Sequence, residues 1–157
     1  MSLPFKTTPN LYDRDFAAWA ERQALLLKQR RYEELDLINL VDEVEDLSRR
    51  ERQALVSNLI VVLLHLLKWQ YQPEMRSGSW RGSIVEHRRR CQQALKDSPS
   101  LKPYLEEVFA ECYGDAVEQA SAETELTVDT FPVECPFLLA EVLQSGFLPE
   151  DESEEEE

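Results

Sequence analysis

The sequence predicts an all-α protein, a single-domain bundle of about five to six helices around a buried central helix. Three observations carry that reading. Residues 55–70 form the most apolar stretch of the chain, and their apolar positions nearly encircle a helix. A helix that is apolar all round belongs inside a bundle, because every face must be kept from water. The stretches on either side place apolar residues at three-and-four spacing, the period of amphipathic helices, and none alternates strongly enough to build a sheet.

Taken in order, residues 1–10 hold two prolines and little periodicity, and read as an arm that packs through Leu3 and Phe5. Asp13 is a candidate N-cap for the first helix. Its apolar face is Phe16, Trp19, Ala20, Gln23 or Ala24, and Leu27. Lys28, Arg30 and Arg31 near its end complement the helix dipole. A second helix starts near Asp36 and carries the stripe Leu37, Leu40, Val41, Val44 and Leu47, expected to face the core. Ser48 with Glu51 has the spacing of a capping box, which predicts a break and a new, central helix. Pro73 stops that helix.

Residues 72–78 read as a loop. Ser79 then caps a fourth helix with the inner face Trp80, Ile84, His87 or Arg88, Cys91 and Leu95. Pro99 or Pro103 opens a fifth, lined by Leu101, Leu105, Val108, Cys112, Ala116 and Ala120. Residues 125–136 break the period and read as an extended crossing. Pro136 begins a short last helix that Gly146 closes. The domain spans 11–149, and 150–157 is an acidic tail too charged to bury anything, so it should be disordered.

With 157 residues the chain can bury a sizeable core. Its net charge of −14 is unevenly spread. Residues 68–96 are net basic, while 150–157 hold seven acids in eight positions. Cys91, Cys112 and Cys135 are odd in number and form no ligand spacing, so they read as reduced thiols and no metal or other cofactor is expected. No basic-then-apolar leader precedes the first helix, which points to the cytoplasm. The central run is too short and interrupted to span a bilayer, which takes roughly 20 mostly apolar residues, so no membrane is expected.

Several strings occur together in one order: Leu11-Tyr12-Asp13-x-Asp15-Phe16-x-x-Trp19, Leu35-Asp36-x-x-Asn39-Leu40-x-x-Glu43, His65-Leu66-Leu67-Lys68-Trp69, Gln72-Pro73, Ser79-Trp80, Pro99-Ser100-Leu101 and Phe131-Pro132-x-x-Cys135-Pro136-Phe137. The set resembles the domain of unknown function 29 family, a bacterial and largely cyanobacterial group, over roughly residues 11–149. The resemblance implies an almost wholly helical fold and no particular activity.

Three constellations are candidates for function. His65 shares a polar strip of the central helix with Asn58 and Lys68. An edge of the second helix offers Asp36, Asn39 and Glu43, and short connections would make the two helices antiparallel neighbours. An imidazole beside a carboxylate is the minimum for general acid–base work, so a hydrolase using His65 and Glu43 is one reading. The reading preferred on the residues is a structural polar network of Asp36, Asn39, Glu43, Asn58 and His65. No nucleophile flanks the histidine, and no Glu-x-x-His motif supplies a metal site. The second constellation is Lys68, Trp69, Tyr71, Arg76, Trp80, Arg81 and Arg88. Trp, Tyr and Arg dominate binding energy at interfaces, so these are the expected hot spot of a non-catalytic interaction module that binds a protein partner or itself. The third is the basic stretch 76–90 as a nucleic-acid or toxin–antitoxin-like surface, including an Arg81-x5-His87 spacing that resembles helical ribonucleases of the HEPN class. Nucleic acid is disfavoured, because the surplus acids of the chain would claim those arginines first.

Overall fold

The structure, a computed structural model, describes residues 10–151. The expected arm and all but the start of the acidic tail lie outside that range. Every regular element in it is helical, and no strand occurs among the described residues. The chain divides into two compact units, residues 1–49 and 50–157.

The first unit opens with α1 (Leu11–Arg14), whose start is capped by Asn10. Asp15 then leaves the helix and caps α2 (Phe16–Lys28), its Oδ1 accepting from the Ala18 amide at 3.0 Å. The N-cap is therefore Asp15 and not Asp13, and one expected helix is two. Trp19, Gln23 and Leu26 are buried, whereas Phe16 and Leu27 are half exposed. The buried face is thus Trp19, Gln23 and Leu26, at i, i+4 and i+7, with Leu26 in the place read for Leu27. Arg30, at φ 57°, turns the chain out of α2 in the left-handed region. Trp19 donates its indole N–H to Asp36 at 3.0 Å, and Gln23 accepts from the Asp36 backbone at 2.8 Å. Those two bonds hold Asp36 where its own carboxylate accepts from the Asn39 amide and starts the next helix.

That helix, α3 (Leu37–Tyr71), runs 35 residues without a break. The expected break at Ser48 is absent. A capping box acts only where the backbone leaves the helix, and residues 48–54 contain no Pro or Gly and are mostly strong helix formers. Nothing is buried from Leu37 to Ala54, so the stripe expected to face the core does not. Burial begins at Leu55, and Leu59, Val62, Leu63, Leu66 and Leu67 are at most 1% exposed, as an all-round apolar helix requires. By length and composition α3 could cross a membrane, and seven of its residues from Leu55 to Leu67 are buried in the core of the second unit.

The second unit is the bundle. α4 (Gly78–Asp97) is capped by Ser77, not Ser79, through its Oγ and the Trp80 amide. Ile84, Arg88 and Cys91 are its buried positions. α5 (Leu101–Thr124) buries Leu101, Leu105, Cys112, Ala116 and Ala120 as read from the spacing, with Tyr113 and Val117 beside them. Glu125, at φ 61°, ends it. The segment that follows is extended apart from one 3-10 turn, and buries Phe131. α6 (Leu139–Leu143) buries Val142, and Gly146, at φ 84°, turns the chain so that Phe147 meets the edge of Phe137 at 6.1 Å.

A helix of five residues cannot satisfy its own last carbonyls. Two side chains of α4, one turn apart, do it instead. Arg88 donates Nε–H to the Val142 carbonyl at 2.8 Å and Nη2–H to Phe147 at 2.9 Å. Gln92 donates to the Leu143 carbonyl at 2.7 Å and to Ser145 Oγ at 3.0 Å. Arg88 is 3% exposed. It was expected at a binding surface and is instead the clamp that holds α6.

Candidate functional site

The polar strip of α3 lies along α4. Asn58 donates its amide to the Ala54 carbonyl and accepts from His87 Nδ1–H, both at 2.8 Å. His65 donates Nδ1–H to the Val61 carbonyl at 2.8 Å. Both acceptors are oxygens, so each neutral ring carries its proton on Nδ1 and keeps the lone pair on Nε2. Burial pushes the His87 pKa down, and the nearby Arg90 and His65 push it further, against a smaller pull from Glu86. His87 is therefore uncharged at neutral pH.

The expected hydrogen bond from His65 to Asp36, Asn39 or Glu43 is not made. All but Asp36 stand on the same unbroken helix as His65, and about 33 Å of helical rise separates Glu43 from His65. The hydrolase pair is not assembled. The expected single network is two. In the first unit Asp36 binds Trp19 and Asn39, while Tyr12 donates to Glu43 at 2.6 Å, which pushes the phenol up to about 12. In the second, Asn58 holds His87 and His65 bonds its own helix.

The aromatic-arginine cluster is real, but mostly occupied. Lys68 lies 4.5 Å over the Trp80 ring and pairs with Glu123 at 3.1 Å. Tyr71 meets Phe131 edge-on at 5.3 Å. Arg76 lies 5.0 Å over Trp69 and donates Nε–H to the Trp69 carbonyl at 2.8 Å. Its two remaining nitrogens fork onto the Asp151 carboxylate at 2.5 and 3.3 Å. Arg81 is exposed at the start of α4. Arg89 and Arg90 both bind Glu86. The positive charge of 68–96 is thus largely spent on carboxylates of the same chain, which is what the surplus of acids predicts.

Burial pushes the Cys91 thiol up to about 12 and Cys112 up to about 11, so neither is a nucleophile near neutral pH. Among the described residues, no group of three or more His, Cys, Asp or Glu is placed to hold a metal ion.

A run of exposed apolar residues lies elsewhere. On the first half of α3, Leu37 is 61% exposed, Ile38 80%, Val41 53%, Val44 63% and Leu47 60%. Leu37, Val41 and Val44 stand at i, i+4 and i+7, on one face of the helix. Residues 32–48 around them hold Glu33, Glu34, Asp36, Asp42, Glu43, Glu45 and Asp46 and no lysine or arginine. Sequence reasoning counted this stripe as core. The signal that marks it otherwise is the length of the uninterrupted helical period, well beyond the roughly 8–20 residues usual in a globular helix.

Against known proteins, the family model described as "Domain of unknown function DUF29" matches residues 11–148. No curated protein and no solved structure matches the chain.

Proposed function

The chain belongs to the DUF29 family, and on that premise we propose that it is a non-catalytic protein-interaction module whose docking face is the first half of α3 and whose partner presents a basic amphipathic helix. The observation that carries this is the exposed run Leu37, Ile38, Val41, Val44 and Leu47 at helical spacing. A face of that kind is how helix-in-groove and helix-on-helix recognition is built. Contiguous exposed apolar residues rimmed by polar ones mark interaction sites on soluble domains.

The rim selects the partner. Seven carboxylates lie within residues 32–48, against the flanking Arg31, which pairs with Glu34, and Arg49, which pairs with Glu45 and Asp46, so the rim stays net acidic. Complementary potential favours lysine or arginine on the incoming helix, speeds encounter and sets register. A second copy would bring like charge onto like charge, in a chain already at −14.

The test uses the full chain and a synthetic three-heptad helix with leucine at a and d and lysine elsewhere, measured by fluorescence anisotropy. Binding should weaken at least about tenfold in Val44→Glu, the equivalent of one lost apolar anchor. The substitution adds an acid, so attraction by charge alone would instead tighten binding, and that result would overturn the reading. Sedimentation equilibrium showing a dimer that Val44→Glu dissolves would replace the foreign partner by a second copy. Deletion of residues 1–9 that strengthens probe binding would assign the stripe to the chain's own N-terminus and overturn the proposal equally.

A further inference from the structure

Arg76 is set up as a receptor rather than as a surface cation. Its Nε–H is committed to the Trp69 carbonyl, and its plane is held over the Trp69 ring. That leaves Nη1 and Nη2 in the parallel fork that fits a carboxylate. The side chain is 22% exposed, whereas its ligand Asp151 is 72% exposed. The arginine is built into the fold and the carboxylate merely rests on it.

Beside the pair is an open cavity of about 490 Å³ lined by Gln70, Tyr71, Pro73, Glu150 and Asp151. Among the described residues, Gln70 Oε1 is a buried side-chain oxygen without a hydrogen-bond donor. Arg76 thus offers a fork for a carboxylate, and Gln70, which lines the cavity beside the pair, carries an acceptor that still lacks an N–H. A peptide with an acidic side chain carries both groups. Phosphate at neutral pH supplies the charge but is a poor donor for the amide oxygen.

We propose that Arg76, Trp69 and Gln70 form a binding site for an acidic peptide segment, and that Asp151, with Glu150 beside it, occupies it in cis. Asp151 is then a tethered competitor. Exposed ion pairs are individually weak, so the tether, not the bond, keeps it there. An acidic segment of another protein gains the site by displacing the tail. The inference is independent of the docking face on α3.

The experiment uses full-length protein. One variant carries Asp151→Asn alone. A second replaces all seven carboxylates of residues 150–157 by their amides. The probe is a fluorescein-labelled peptide of residues 148–157, with inorganic phosphate as competitor. The fully amidated variant should bind the peptide at least about tenfold more tightly than wild type, with Asp151→Asn between them, because the internal competitor is gone. Adding Arg76→Ala to the amidated variant should abolish the gain, and Arg76→Lys, which keeps the charge but loses the fork, should lose most of it. Equal binding by wild type and both tail variants would overturn the tethered competitor. Peptide binding that survives Arg76→Ala would move it to diffuse attraction by the basic stretch and overturn the site. Phosphate competing as well as unlabelled peptide would show an anion site without peptide selectivity. The tail variants leave Arg76 and the core untouched, so their outcome stands even where Arg76→Ala disturbs the fold.

Discussion

Arg88 is the sharpest place to test the account of the second unit. It is a cation at 3% exposure that donates to two backbone carbonyls, Val142 and Phe147, and it secures a helix too short to stand alone. Hydrogen bonds from a charged group contribute about 1.5–3 kcal/mol each, so the pair is worth about 3–6 kcal/mol before desolvation. Burying the guanidinium works against that sum, and the same burial lowers its pKa. Arg88→Met keeps the apolar stem and removes the buried charge. It leaves two carbonyls without their donors, at about 1–3 kcal/mol each. The expected net cost is about 2–4 kcal/mol for Arg88→Met, and about 1 kcal/mol more for Arg88→Ala, which also loses the packing of the stem. Urea unfolding followed by tryptophan fluorescence reads the global cost, since Trp69 and Trp80 both lie in this unit. Hydrogen exchange at residues 139–147 reads the local one. Gln92→Ala should cost less, because its bonds are neutral, and should couple to Arg88→Met, because both hold the same turn. Arg88→Met within about 0.5 kcal/mol of wild type, the range of an unremarkable surface change, would refute the clamp.

Two further outcomes follow from the core and the strip. Leu63→Ala, at a fully buried position of α3, should cost about 2–5 kcal/mol in the same urea titration, through lost burial and the cavity left behind. His87 should make stability fall with acidification. Its folded pKa lies below the ordinary 6.5, so the unfolded chain takes up a proton that the folded one resists. The penalty is absent above pH 6.5 and grows as the pH drops toward the folded value. Burial drives that shift, Arg90 on the same helix and His65 on the facing one add to it, and Glu86 opposes it. His87→Gln, which retains a donor for Asn58, should flatten the decline in urea midpoint between about pH 7.5 and 5.5. An unchanged slope would show that His87 titrates as if unfolded.

The fold was legible where burial and period agree. Residues 55–70 read as a central helix because no face of them tolerates water, and the inner faces of α4 and α5 followed from three-and-four spacing. Reasoning failed where one local signal stood for a tertiary fact. Ser48 and Glu51 have the chemistry of a cap, but a cap cannot end a helix whose neighbours all favour continuing it. From that error came the antiparallel pair of helices, and with it the meeting of His65 and Glu43. The stripe at Leu37, Val41 and Val44 has the spacing of a core face, and spacing alone does not say what covers it. Arg88 and Arg76 were read as one basic surface. A clamp onto carbonyls and a fork onto a distant aspartate depend on partners 54 to 75 positions away, which no local pattern reveals.

All three cysteines fall in the second unit, and the first has none. Cys91 and Cys112 are buried thiols whose raised pKa values silence them while the bundle is closed. Each becomes an ordinary, alkylatable thiol only when its helix opens. The chain therefore carries its own clock for one half of the molecule. Counting modified cysteines against time in a mass spectrum times the opening of α4 and α5 without any label being engineered in. A single cysteine introduced at a buried position of the first unit, such as Leu26, would add an independent hand to that clock for the other half.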